Sequence, residues 1–96
     1  MNPIKGNITL EDGAAYEGDL INGIPNGKGK LTYVDGSVYI GDFVNGKFHG
    51  KGKLTYYYGG EYDGEWANGE QNGLGRMVYT DGTIEDGNFV NSMFAK

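Results

Sequence analysis

Few residues of this chain are of the types that carry out catalysis, and their spacing does not assemble a catalytic site. The sequence has one histidine, His49, and no cysteine, and its only serines are Ser37 and Ser92. Neither serine lies in a Gly-x-Ser-x-Gly turn, and no second imidazole accompanies His49. We therefore interpret His49 as a structural loop residue and predict that the protein is not an enzyme and has no catalytic residue.

Three regularly spaced acids are the next candidate for chemistry. Asp19, Asp42 and Glu65 are each 23 positions apart, so a repeating fold would place their carboxylates in a row that could bind Ca²⁺. Lysines are expected to face this row, and rigid strands do not wrap oxygens around a cation as a metal-binding loop does. The Gly-Lys-Gly segments at 27–29 and 50–52 lack the Lys-Ser/Thr ending of a phosphate loop. We predict no metal and no cofactor.

Composition restricts the partners and the compartment. The formal net charge of −5 argues against nucleic acid and disfavours an anionic membrane, because both require clustered Lys and Arg. The absence of cysteine favours a reducing compartment. Residues 1–10 have no apolar run typical of a signal peptide, and the sequence has no apolar stretch of about 18 residues that could span a bilayer. We expect a cytoplasmic protein.

The elements that must position these side chains repeat every 23 residues. Large residues alternate with small or polar ones at period two, which is the spacing of a β-strand. Asp-Gly and Asn-Gly pairs punctuate the units and favour tight turns, so each unit is predicted to be a β-hairpin. The aligned columns include Tyr16, Tyr39 and Tyr62; Gly18, Gly41, Gly64 and Gly87; Leu20, Phe43, Trp66 and Phe89; and Leu10, Tyr33, Tyr56 and Tyr79.

The hairpins predict an all-β fold, a single-layer antiparallel meander. Strands are expected near 6–11, 14–20, 28–34, 37–43, 51–57, 60–66, 74–80 and 83–89. One face collects the rings and glycines, while acids on one strand type and bases on the other share the opposite face. Gly41 is expected opposite Leu31 and Leu54, and Phe43 opposite two glycines, so that each bulky side chain packs over a residue without a Cβ.

Three units resemble MORN (membrane occupation and recognition nexus) repeats. They are Tyr16-Glu-Gly-Asp-Leu-Ile-Asn-Gly, Tyr39-Ile-Gly-Asp-Phe-Val-Asn-Gly-Lys-Phe-His-Gly-Lys-Gly and Tyr62-Asp-Gly-Glu-Trp-Ala-Asn-Gly. The resemblance covers about residues 6–92 and implies an elongated, twisted sheet with an aromatic groove that acts as an assembly or docking module. It divides a single domain, 1–96, into units 16–38, 39–61 and 62–84 with partial units 1–15 and 85–96. Glu85, Asn88 and Ser92 depart from the pattern and are interpreted as a terminal cap.

The leading functional hypothesis is a scaffolding module that docks a protein or peptide segment, including a second copy of itself as a homodimer. The predicted groove consists of Tyr16, Tyr33, Tyr39, Phe43, Tyr56, Tyr62, Trp66 and Tyr79. The predicted self-association edge consists of Phe89, Val90, Met93 and Phe94. Phe48 and Ile40 are expected on the outward face, beside Tyr56, Tyr57 and Tyr58.

The alternative hypothesis is binding of phospholipid headgroups at a membrane surface. It depends on the basic residues Lys28, Lys30, Lys51, Lys53 and Arg76. The net acidity of the chain weighs against it, so a membrane lipid partner is not favoured.

Overall fold

The computed structural model describes residues 2–96, which form one antiparallel sheet with its strands in sequence order. Its dimensions of 39 × 26 × 17 Å are those of an elongated single layer, so the predicted all-β meander of hairpins is confirmed. None of the described residues belongs to a helix long and apolar enough to cross a membrane. The strands are β1 (Ile4–Thr9), β2 (Ala15–Ile21), β3 (Ile24–Thr32), β4 (Val38–Val44), β5 (Lys47–Thr55), β6 (Glu61–Ala67), β7 (Glu70–Val78), β8 (Ile84–Val90) and β9 (Met93–Phe94).

Two kinds of turn join the strands. At one end of the sheet, an aspartate side chain accepts a hydrogen bond from the backbone N–H two residues later, as Asp35 does from Ser37 at 2.8 Å. At the other end, both central residues have positive φ, as Asn45 (50°) and Gly46 (82°) do. This conformation matches the twist of the flanking strands, so only two residues are needed to reverse the chain.

The second strand of each hairpin begins earlier than expected. Strands predicted at 28–34, 51–57 and 74–80 lie at Ile24–Thr32, Lys47–Thr55 and Glu70–Val78. Because the Asn-Gly turn uses only two residues, the chain re-enters the sheet immediately after the glycine. The extra residues are accommodated by a bulge, which shifts the register between Gly41 and Phe43 and at the equivalent places in the neighbouring hairpins.

The expected pairing of glycines with bulky residues is wrong, and Phe43 lies opposite Gly27 on one side and Phe48 on the other instead of opposite two glycines. Gly41 lies opposite Gly29 and Gly52, while Tyr39 lies opposite Leu31 and Leu54. The tyrosine ring instead leans along its strand and covers the glycine on the diagonal, where a Cβ on Gly52 would collide with the phenol oxygen of Tyr39. The glycines therefore leave room for a ring from the neighbouring strand. Glycine in a strand often marks such a close approach.

Interlocking rings form the core on one side of the sheet. Phe48 stacks on Tyr39 with ring centroids 3.7 Å apart, and Phe43 and Trp66 meet Tyr39 edge-on at 5.0 and 5.5 Å. Such pairs contribute about 0.5–1.5 kcal/mol beyond their buried area. The expectation that Phe48 lies on the outward face is wrong, since only 9% of it is exposed. Because β5 begins at Lys47, Phe48 has the same side-chain direction as Gly52.

Candidate protein-interaction surfaces

The face that carries the rings, which we call the aromatic face, buries most of its predicted groove residues. Five of the eight are almost completely shielded from solvent by one another: Tyr16, Tyr39, Phe43, Tyr62 and Trp66. Their rings therefore form the core of the single-layer sheet. Of the remaining three, Tyr33 and Tyr56 pack against this core and stay partly exposed, whereas Tyr79 is exposed.

The buried phenol groups are satisfied within the sheet. The hydroxyls of Tyr16, Tyr39 and Tyr62 donate to the backbone carbonyls of Asp19, Asp42 and Glu65, at 2.7, 2.8 and 3.0 Å respectively. Burial raises the pKa of all three tyrosines above the usual value of 10. These hydroxyls are therefore neutral structural donors and are not presented to a partner.

The exposed part of the aromatic face is a row of three tyrosines, which we call the tyrosine row: Tyr33, Tyr56 and Tyr79, spaced by 23 residues. Tyr79 is 41% exposed, and its hydroxyl donates to Glu85 at 2.6 Å. The hydrogen bond with Glu85 raises the pKa of Tyr79 to about 12. The row presents aromatic surface edged by acids, because Asp12 and Asp35 lie close enough to contribute, after burial, to the raised pKa of Tyr33.

Two depressions adjoin the tyrosine row. One of about 260 Å³ lies between Tyr33 and Tyr56 with Leu54 at its base. The other, about 290 Å³, extends from Tyr33 to Gly46 and Gly69 in the Asn-Gly turns. Residues from both ends of the strands line this second depression, so it extends across the width of the aromatic face.

Gln71 is a buried polar residue that the sequence reading missed. Only 4% of it is exposed, and its Nε2 donates to the Tyr56 hydroxyl at 3.3 Å. Gln71 occupies the position that Phe48 has one repeat earlier, so an amide takes the place of a core ring next to Tyr56. Its Oε1 has no hydrogen-bond partner among the described residues. The sequence signal for Gln71 was a polar residue in a column where the earlier repeats have Pro25 and Phe48.

His49 has a structural place, but it lies within strand β5 and not in a loop as expected, because that strand begins at Lys47. Its Nδ1 accepts a hydrogen bond from the backbone N–H of Asn68 at 3.3 Å. In the neighbouring units the side-chain oxygens of Asn26 and Asn72 accept the equivalent bonds. His49 thus connects the Asn-Gly turn of one hairpin to the next.

The carboxylates considered as calcium ligands instead stabilise the bulges. Asp19 and Asp42 accept hydrogen bonds from the backbone N–H groups of Lys28 and Lys51, at 3.0 and 3.1 Å. Glu65 accepts the equivalent bond from Leu74 at 2.6 Å. A bulge leaves backbone donors without their strand partners, and an acid in this column satisfies them.

These carboxylates predict a loss of stability in acid. Burial tends to raise the pKa of Asp42, but its hydrogen bonds with Lys28 and with the Lys51 backbone N–H outweigh burial and hold it below 3.8. A group with a lowered folded pKa stabilises the fold above its unfolded pKa, and this contribution is lost as the pH falls from about 4 through the folded value. We expect the free energy of unfolding, measured by urea titration from pH 6 down to about pH 2.5, to fall in this window.

The Asp42→Asn variant is the matched test of that dependence. It keeps an acceptor of similar shape but cannot titrate, so it should be less stable near pH 6 and show a shallower decline below pH 4. A decline identical to that of the wild type would assign the acid sensitivity to other carboxylates, among which Asp19 also has a lowered pKa, caused first by its hydrogen bond with Lys5.

The opposite face of the sheet, which we call the charged face, carries the five basic residues of the lipid hypothesis. They alternate with acids across the strands. Lys28 pairs with Asp42, Lys53 lies 3.3 Å from Glu61, and Arg76 lies 3.9 Å from Asp86. Lys30 and Lys51 lie opposite Glu17 and Glu65 in the ladder.

The predicted self-association edge divides between core and surface. Phe89 is buried edge-on against Tyr62 at 4.9 Å, and the half-buried Phe94 lies 5.3 Å from Phe89. Val90 and Met93, which pair in the last hairpin, are exposed. Val90 and Met93 are therefore the residues of the predicted edge that are largely exposed.

Comparison with known proteins agrees with this geometry. A search of the curated proteins finds no match to the chain. A family model described as MORN repeat matches residues 16–38, 39–60 and 62–84, which together make up more than half of the chain. Each matched segment contains a complete hairpin whose tyrosine covers a glycine of the paired strand. The chain therefore belongs to the MORN repeat family.

Proposed function

We propose that this chain is a non-enzymatic interaction module that holds an apolar protein segment against the tyrosine row. The observation that carries the proposal is the division of the aromatic face. Five rings are buried as core, whereas Tyr33, Tyr56 and Tyr79 remain accessible in one line. Exposed aromatic rows of this kind are typical of protein contact sites, because rings offer a large contact area at a small entropic cost.

The depressions beside the row suit side chains of a docked segment. Repeating tyrosines 23 residues apart would contact successive apolar side chains, as in helix-in-groove recognition. The acids Asp12, Asp35 and Glu85 around the row favour a segment with basic residues beside its apolar positions. A catalytic role is not proposed, since His49, Asp19, Asp42 and Glu65 are engaged in the sheet itself.

The test is a quantitative pull-down with a Tyr33→Ser/Tyr79→Ser variant. We expect recovery of the partner to fall by about tenfold or more, because truncating interface aromatics commonly costs 2 kcal/mol or more. Tyr57→Ser is the matched control, since Tyr57 is an exposed tyrosine outside the row. Far-UV circular dichroism would establish that both variants are folded. Equal losses in the variant and the control would contradict the proposal.

Self-association through Val90 and Met93 is a second candidate, supported by their exposure in the last hairpin. Lipid binding, the alternative hypothesis, stays a prediction. The alternation of its basic residues with acids weakens it, because an anionic surface would have to compete with Asp42, Glu61 and Asp86. Sedimentation with anionic vesicles at physiological salt tests it, and an absence of pelleting would remove it.

A further inference from the structure

The charged face is divided into a basic half and an acidic half. Strands β3 to β5 carry five lysines and one acid on this face: Lys28, Lys30, Lys47, Lys51 and Lys53, with Asp42. Strands β6 to β8 reverse the balance, with five acids and one base: Glu61, Asp63, Glu65, Glu70 and Asp86, with Arg76. The charges thus alternate locally but sum to opposite signs on the two halves.

Two departures from the repeat sharpen this division. Ile40 stands in a column that otherwise holds acids: Glu17, Asp63 and Asp86. Leu74 stands in a column that otherwise holds lysines: Lys5, Lys28 and Lys51. Ile40 therefore removes an acid from the basic half, and Leu74 removes a base from the acidic half.

Both substitutions also place apolar surface in solvent. Ile40 is 58% exposed between Lys30 and Lys53, and Leu74 is 60% exposed beside Glu65. An exposed branched side chain is common by itself. Here Ile40 lies in the middle of the basic half and Leu74 in the middle of the acidic half, and the charges of these two halves are complementary.

We propose that the charged faces of two copies of this chain pack against each other, with β3 to β5 of one copy over β6 to β8 of the second. A two-fold axis parallel to the strands, between β5 and β6, produces this arrangement and makes the contact self-complementary. It brings Lys30 towards Asp86 of the second copy, Lys51 towards its Glu65 and Lys53 towards its Asp63. Two aligned sheets pack in this way about 10 Å apart, at roughly −30°.

The contact is small and rich in charge. The whole face measures at most 39 × 26 Å, and the six strands use only part of it, so the buried area lies at the lower end of the range for standard interfaces. We therefore expect a weak dimer whose dissociation constant rises by about tenfold or more between low and high salt, because exposed charge pairs are screened.

A charge-swap experiment with sedimentation velocity tests the proposal. Lys30→Glu and Asp86→Lys each place like charges across the contact, so each variant alone should dimerise at least about tenfold more weakly than the wild type. An equimolar mixture of the two restores opposite charges at both places and should recover the wild-type dimer. Recovery in the mixture cannot arise from a folding defect, because such a defect would persist.

The proposal goes beyond docking at the tyrosine row, since it uses the other face, and the controls separate the two. Tyr33→Ser/Tyr79→Ser and Val90→Ser/Met93→Ser should leave the dimer unchanged. A wild type that remains monomeric at high concentration and low salt would overturn the proposal, as would a mixture that fails to recover. Dimer loss in either control would also overturn it, by assigning the contact to the aromatic face or to the last hairpin.

Discussion

The Gly52→Ala variant is expected to lose about 2–4 kcal/mol of unfolding free energy, because one methyl group would occupy the space of the Tyr39 phenol. Tyr39 is completely buried and its hydroxyl donates to the Asp42 carbonyl, so the ring cannot turn away without breaking that bond and the stack on Phe48. A domain of this size has only about 5–15 kcal/mol of stability. Urea denaturation followed by far-UV circular dichroism measures the loss.

Gly6→Ala is the matched control for this prediction. Gly6 occupies the same column as Gly52 at the first strand, where no tyrosine covers it and the nearest atom to an added Cβ is Cδ1, the end of the Leu20 side chain, at 3.0 Å. We expect a change of about 0.5 kcal/mol or less there. Similar costs at both positions would show that the glycines serve backbone conformation and do not make room for rings.

Trp66→Ala is expected to cost about 3–5 kcal/mol, the usual range for a buried large aromatic side chain. Trp66 meets Tyr39, Phe48 and Tyr62 edge-on within 5.5 Å, and its Nε1 donates to the Gly52 carbonyl at 3.0 Å. Its removal would open the core between two repeats. Calorimetric unfolding should show a large drop in Tm.

Trp66→Phe separates packing from hydrogen bonding in this prediction. It keeps most of the ring but leaves the Gly52 carbonyl without its donor, so a loss of about 1–2 kcal/mol is expected. Tyr57→Ala, at an exposed position, should be nearly neutral. A Trp66→Ala variant as stable as Tyr57→Ala would contradict the assignment of Trp66 to the core.

The sequence was sufficient to predict the architecture because the relevant signals are local. The 23-residue period, the alternation of side chains and the Asn-Gly pairs each depend on residues close in the chain. They predicted the hairpins and the two faces without knowledge of the pairing. The placement of Phe43 and Trp66 on one face follows from the same periodicity.

The register could not be predicted, because it depends on a bulge whose cause lies across the sheet. Asp42 and Glu65 accept hydrogen bonds from the facing strand, and this lets additional residues enter β5 and β7. From the sequence alone, an acid in this column is interpreted as a surface charge. The sequence alone consequently predicts the wrong face for Phe48, although its parity with Gly52 indicates the core once the start of the strand is known.

The sequence likewise could not predict which tyrosines lie in the core and which lie at the surface. Tyr39 and Tyr56 are the same residue type at equally regular positions, yet Tyr39 is completely buried and Tyr56 is half-buried. Burial of Tyr39 results from three rings: Phe43 on its own strand, and Phe48 and Trp66 on the two strands that follow. Tyr56 meets Gln71 instead, which supplies a hydrogen bond, and the ring that stacks on Tyr56 is the exposed Tyr58.

Site-specific photo-cross-linking tests the central claim, that partners dock on the tyrosine row, most directly. A benzophenone amino acid would replace Tyr79 in one variant, Tyr57 in a second and Ile40 in a third, all at exposed positions. We expect a cross-linked partner protein from position 79 and none from position 57, whereas position 40, on the face proposed to meet a second copy, should cross-link only to another copy of the chain. A partner protein other than a second copy, captured from position 40 or 57 and absent from position 79, would contradict the claim.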